Sequence, residues 1–226
     1  MRLLAFDSAG SSSSVVVWQE GAVLARAAAS GGHHSEQLLV LIEQCLADAA
    51  LDLGQMDAIA CGRGPGAFTG VRLALSVAQG LAFAARLRVI PVSNLQAAAE
   101  RAAAFDAAPT RLLVCQDARM REVYWAAYEA DGQGARLIGA EAVAAPMAVA
   151  LPSSWSEGVS AWGVGSGFDA YSQALQPLMQ RLERCLAIEG GAEEIARVAA
   201  RLGPAHAVPP ERVLPVYLRD DVVGSV

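Results

Sequence analysis

Two apolar runs in this chain end in aspartate: RLLAFD at 2–7 and RLLVCQD at 111–117. Asp7 is followed by Ser8, Ala9, Gly10 and Ser11, so a carboxylate and hydroxyls share one turn. That oxygen set suits Mg²⁺ and phosphate, and a carboxylate can also act as a general base. Asp117 would be the second carboxylate. Its loop, Ala118-Arg119-Met120-Arg121, has no glycine through which a phosphate could approach the backbone. Asp and Ser also favour turns by bonding their own backbone. The polar-turn reading is the stronger one here, and Asp7, Ser8 and Asp117 form only a weak nucleotide-binding set.

Other chemical signals are thinner. GVGSG at 163–167 follows a short apolar run, and Gly190-Gly191 precedes a helical pattern at 192–202. A glycine run without a lysine or an aligned acid is weak as a phosphate loop, and glycines break chains before helices routinely. The three histidines, His33, His34 and His206, form no HxxxH pair, so a three- or four-ligand metal site is not expected. No serine or cysteine lies in a GxSxG context. No metal and no cofactor is expected, and the chain reads as one that performs no catalysis.

Composition narrows the class. The 226 residues are 54% hydrophobic, enough for one large or two small domains, and folding should remove roughly 70% of the extended-chain surface from water. The formal charge of −6 argues against a broad nucleic-acid footprint. All 17 basic residues are arginine, which removes Walker-type phosphate binding and Schiff-base chemistry. Cys45, Cys61, Cys115 and Cys185 are scattered without a CxxC pair, as expected of small buried hydrophobes in a reducing cytoplasm. The apolar start is cut off by Asp7, so no signal peptide is expected. The 13 residues between Arg72 and Arg86 would span about 20 Å as a helix, short of a bilayer core of roughly 30 Å. A cytoplasmic protein with no membrane association is expected.

These residues must be carried by an α/β frame. Strands are predicted at 2–7, 13–18, 22–29, 57–63 and 88–93, with helices at 35–51 and 68–86. The order βββαβαβ predicts a mixed sheet with helices on it. The layout of strand, aspartate, polar turn, strand, glycine turn and strand then recurs from Arg111. Two related subdomains are predicted, 1–108 and 109–226.

The segment 62–82, GRGPGAFTGVRLALSVAQGLA, is the least ambiguous. Its glycines and Pro65 stop the preceding strand. In the helix that follows, Gly70, Ala74, Ala78 and Ala82 are four apart and share a face. A smooth small-residue stripe on a helix apolar nearly all round suits close contact, either with the chain's own core or with another subunit. On the second reading the interface comprises Leu38, Leu41, Ile42 and Cys45 of the first helix with Gly70, Val71, Ala74, Leu75, Ala78 and Ala82.

GRGPGAFTGVR (62–72) with AQGLA (78–82), DARMREVYWA (117–126) and PVYLRD (215–220) resembles the bacterial TsaB family, from the first strand to Asp220. The family usually has Ser at the position of Ala67, Gly at that of Arg121, and Asp-Thr-Ala where Asp7-Ser8-Ala9 stands. The resemblance implies an actin-like ATPase (ribonuclease H-like) α/β fold with two similar βββαβα-type subdomains. It also implies a non-catalytic subunit for N6-threonylcarbamoyladenosine (t6A) formation at position 37 of tRNAs reading codons that begin with A. The implied partner is TsaD, bound directly through the helices matching 35–51 and 68–86. A homodimer through the same surface is implied when TsaD is missing. TsaE joins through the complex, and TsaC supplies the threonylcarbamoyl-adenylate. TsaD itself carries the metal-binding HxxxH pair that this chain lacks. Contact with tRNA is left open. The competing class is a small ATP-dependent phosphotransferase of the same fold, which would need both phosphate loops and a carboxylate base, for which only Asp7 and Asp117 are on offer.

Overall fold

The computed structural model describes residues 1–30, 34–105, 109–155 and 160–219, with backbone alone at 30 and 34–36. The chain forms two compact units, Met1–Ala97 with Gly190–Pro215, and Ala98–Glu189 with the segment from Val216.

In the first unit β1 (Arg2–Asp7), β2 (Ser12–Gln19) and β3 (Ala22–Ser30) form an antiparallel meander. Helix α1 (His34–Asp48) leads to β4 (Ala58–Gly62), α2 (Phe68–Ala85), β5 (Arg88–Val92) and α3 (Asn94–Ala103). Strands β4 and β5 pair parallel to β1, giving the sheet order β3-β2-β1-β4-β5. Strand alternation sorts the core into two layers. Leu4, Phe6, Val15, Val17, Ile59 and Cys61 face α1 and α2. Leu3, Ala5, Val16, Trp18, Ala58 and Ala60 face the opposite way, onto a helix from the far end of the chain.

The second unit repeats the plan. Strands β6 (Arg111–Asp117), β7 (Val123–Ala130) and β8 (Ala135–Ala144) form the meander, and β9 (Trp162–Val164) and β10 (Arg184–Leu186) add parallel strands. The order β10-β9-β6-β7-β8 is that of the first sheet read from its other edge. Helices α4 (Gly167–Ala170) and α5 (Ser172–Met179) cover it through Phe168, Leu175 and Leu178, which meet Leu113, Cys115 and Val123. The mixed α/β fold of two similar halves, each built on a five-stranded sheet, is the one observed.

Two expectations need correction. The division at 108/109 would give α6 (Ala192–Leu202) to the second unit, yet it packs on the first. Its Ile195, Ala196, Val198 and Ala199 close the second face of the first sheet, together with Ala97 and Ala207. The small-residue stripe likewise faces inward. Leu38, Leu41, Ile42, Cys45, Gly70, Val71, Ala74, Leu75, Ala78 and Ala82 are all buried in the chain's own core. Helix α2 is long and apolar enough by composition to cross a membrane, but this face lies on its own sheet. Small residues are needed there because α2 runs close over the end of β1: a Cβ on Gly70 would fall inside the Ser8 carbonyl.

Among the described residues, the opposite sides of α1 and α2 are exposed. Leu39 and Val40 of α1 are 53% and 60% exposed, and Phe83 of α2 is 79% exposed. Arg72, Ser76, Gly80 and Ala84 are exposed beside half-buried Leu73 and Val77. The two helices touch each other on the same sheet face.

Candidate functional site

The turn after β1 is built from three segments. Asp7 and Ser8 are almost fully buried. Asn94, at the start of α3, donates from Nδ2 to Asp7 Oδ1 at 2.8 Å and accepts the Gly64 N–H at Oδ1, also at 2.8 Å. The Ala9 N–H reaches Asp7 Oδ2 at 3.3 Å, and Ser8 Oγ donates to the Gly70 carbonyl at 2.8 Å. The Ala67 N–H donates to the Ala9 carbonyl at 3.0 Å.

The glycines of GRGPGAFTG follow from this closeness. A Cβ on Gly62 would fall inside the Asp7 carboxylate, and one on Gly66 would lie 2.9 Å from Ala9 Cβ. Gly64 holds φ +93° ahead of a cis bond to Pro65. The motif wraps the β1 turn and takes up its hydrogen-bonding groups. Ala67 contributes only its backbone N–H, so the hydroxyl usual at that position is not needed for the wrap.

Asp117 is engaged in the same way. Tyr171 Oη donates to Asp117 Oδ1 at 2.9 Å, and the Arg119 N–H donates to the same oxygen at 2.8 Å. Arg119 Nη1 stands 3.1 Å from Asp117 Oδ2. The Asp117 N–H donates to Ser166 Oγ at 3.2 Å. Desolvation, and then the bond to this carboxylate, hold the Tyr171 hydroxyl above the ordinary tyrosine range.

Ser166 belongs to GVGSG, whose glycines are also packing devices. A Cβ on Gly165 would stand 2.5 Å from the Cys115 carbonyl, and one on Gly167 2.7 Å from Cys115 Sγ. The N-terminus of α6 is likewise occupied: the Gly191 N–H donates to Glu194 Oε2 at 2.9 Å and the Ala192 N–H to Ser14 Oγ at 3.0 Å.

The four cysteines are free, and three of them are buried. Burial raises the pKa of all four, and Cys115 is pushed up to about 12. None has the depressed pKa of an activated nucleophile. His206 bonds the Leu202 carbonyl through Nδ1 at 2.8 Å, while His33 and the side chain of His34 lie outside the described residues. Among the described residues no cluster of His, Cys, Asp and Glu has the arrangement of a metal site.

Sequence reasoning missed Asn94 and Tyr171, and it weighed Ser166 only as part of the GVGSG run, not as a partner of Asp117. Asn94 had a local signal, since Ser93-Asn94 after an apolar strand is a helix-start pattern, and Ser93 Oγ does accept the Gln96 N–H at 3.3 Å. Tyr171 and Ser166 had none, because their partner is 54 and 49 positions away.

The comparisons with known proteins agree with this architecture. Residues 19–221 match the family described as TsaD: tRNA N6-adenosine threonylcarbamoyltransferase. The tRNA threonylcarbamoyladenosine biosynthesis protein TsaB of Escherichia coli K12 is 34% identical over 98% of this chain and 96% of its own length. TsaB of Haemophilus influenzae is 35% identical over 82% of this chain and 80% of its own. The solved structure of YeaZ from Pseudomonas aeruginosa superposes with a TM-score of 0.87 at 38% identity, covering 96% of this chain and 99% of that one. With identity of this level along nearly the whole length, and the same fold in a solved relative, the chain belongs to the TsaB family.

Proposed function

We propose that this chain is the non-catalytic subunit of t6A synthesis, which binds a TsaD-type transferase directly and holds it in its active state. The observation that carries this reading is the pairing of two engaged carboxylates with an uncovered apolar helix face. Asp7 and Asp117, the residues a phosphotransferase of this fold would use, are committed to their own turns. The outer sides of α1 and α2 instead offer Leu39, Val40, Val77 and Phe83, with Gly80 leaving room for close approach. The docking surface is therefore the outer face of the two helices named from sequence, and the residues first assigned to it act from beneath as its support. In the absence of TsaD the same face serves a homodimer. TsaE joins through the complex.

The test is Gly80→Arg, placed where a side chain has open space in the free chain. A charge trapped without a partner in a helix contact should weaken TsaD binding by about a hundredfold or more. Reconstituted t6A formation should fall with it, while thermal unfolding of the variant stays cooperative. Normal TsaD binding by both Gly80→Arg and Val40→Glu would move the interface elsewhere. ATP turnover by the purified chain alone would favour the phosphotransferase reading.

A further inference from the structure

The turn joining β6 to β7 holds three successive non-glycine residues in the left-handed region: Arg119, Met120 and Arg121, at φ +60°, +53° and +62°. A Cβ makes this conformation unfavourable, and consecutive residues compound the cost. No burial offsets it at the tip, since Met120 is 80% exposed and the Arg119 side chain 88%. Within the turn the Ala118 N–H donates to the Glu122 carbonyl and the Glu122 N–H to the Arg119 carbonyl, both at 3.0 Å.

One side chain from the C-terminal strap grips the whole turn. Arg219 Nε donates to Glu122 Oε2 at 2.8 Å, and Nη2 bonds the same oxygen. Nη2 also donates to the Ala118 carbonyl at 3.3 Å, and Nη1 lies 3.4 Å from Met120 Sδ. The pair is only partly exposed, 21% at Arg219 and 35% at Glu122, so it is less screened than a surface ion pair. DARMREVYWA and PVYLRD, two of the segments that single out this chain, thus meet in one structural element.

We infer that Arg219 is a positioning residue, a latch by which the C-terminal strap keeps the exposed 118–122 turn in its left-handed form. The shape it preserves points outward, with Arg119 and Met120 presented in a fixed arrangement.

Amide hydrogen exchange of the full-length chain tests the latch, with urea unfolding as the global control. Arg219→Ala should speed exchange at Ala118 and Glu122 by at least about tenfold relative to the central amides of β7. Arg219→Lys, which keeps the charge and loses the fork, should fall between. Adding Arg121→Gly to Arg219→Ala should restore part of the protection, because glycine takes φ near +62° without penalty. Unchanged exchange in the turn overturns the latch. So does an Arg219→Ala chain that exchanges faster throughout the second unit or fails to fold, since Arg219 would then serve general stability.

Discussion

The Asn94 carboxamide joins Asp7 to Gly64, donating 2.8 Å to Asp7 Oδ1 from one end and accepting the Gly64 N–H at 2.8 Å at the other. Its orientation is determined by chemistry, because a carboxylate only accepts and a backbone N–H only donates. The end of β1 and the GRGPG turn are thereby tied through one planar group with almost no access to water. Asn94→Ala leaves buried groups on both sides short of a partner, and urea unfolding should show a loss of about 1–3 kcal/mol. Asn94→Asp should cost more, because it sets a second carboxylate against Asp7. Equal stability of the two variants would contradict this.

Two glycines of one helix should respond in opposite directions. Gly70→Ala drives a methyl into the Ser8 backbone carbonyl and should leave little folded protein. Gly80→Ala meets nothing within 4 Å and should stabilise the chain by about 0.5–1 kcal/mol through helix propensity. Thermal melts of the two variants decide it.

The Asp117 carboxylate offers a direct check on the proposal that this subunit performs no chemistry. Asp117→Asn keeps an acceptor for the Arg119 N–H and should leave reconstituted t6A formation within about threefold, whereas loss of a metal-binding or general-base carboxylate costs about a hundredfold or more. A hundredfold fall in a well-folded Asp117→Asn chain would restore Asp117 to a catalytic role.

Stability should also fall in alkali. The Cys115 thiol has its folded pKa raised from 9.0 to about 12, chiefly by burial, so it stays neutral while the same thiol in the unfolded chain ionises. Its contribution is complete below pH 9 and is lost as pH climbs toward 12, at up to about 1.4 kcal/mol per pH unit. Cys61 is shifted the same way, first by burial and then by Asp7. Urea midpoints at pH 7.5 and 10.5 measure the fall, and Cys115→Ala should reduce it. A midpoint that does not move between those pH values would rule the linkage out.

The frame of the first unit was legible because its signals are local. Short continuous apolar runs such as LLAFD and SVVVW, and glycine or proline at the breaks, place strands and helices within a few residues of where they lie. Strands β9 and β10 have three residues each, too short for a period to show. The face of α2 was not legible for a different reason. Small residues at four-residue spacing suit a neighbouring helix and a close pass over strand backbone equally well, and only the position of Ser8 separates them. Asn94, Tyr171 and Arg219, the distant partners of Asp7, Asp117 and Glu122, lie 87, 54 and 97 positions away, beyond the reach of any local pattern.

Helix α6 gives the molecule a constraint in time. On the ribosome the five strands of the first sheet emerge early, yet the face carrying Leu3, Ala5, Val16 and Trp18 lacks the cover of Ile195, Ala196, Val198 and Ala199 until residues 192–207 have been made. The N-terminal half therefore cannot mature as a finished domain during synthesis, and its apolar face is open to chaperones throughout translation of the second unit. Protease challenge of stalled nascent chains would show it: protection of the first sheet should arrive only after the tunnel has released α6. Early protection would mean that the sheet shields this face by other means.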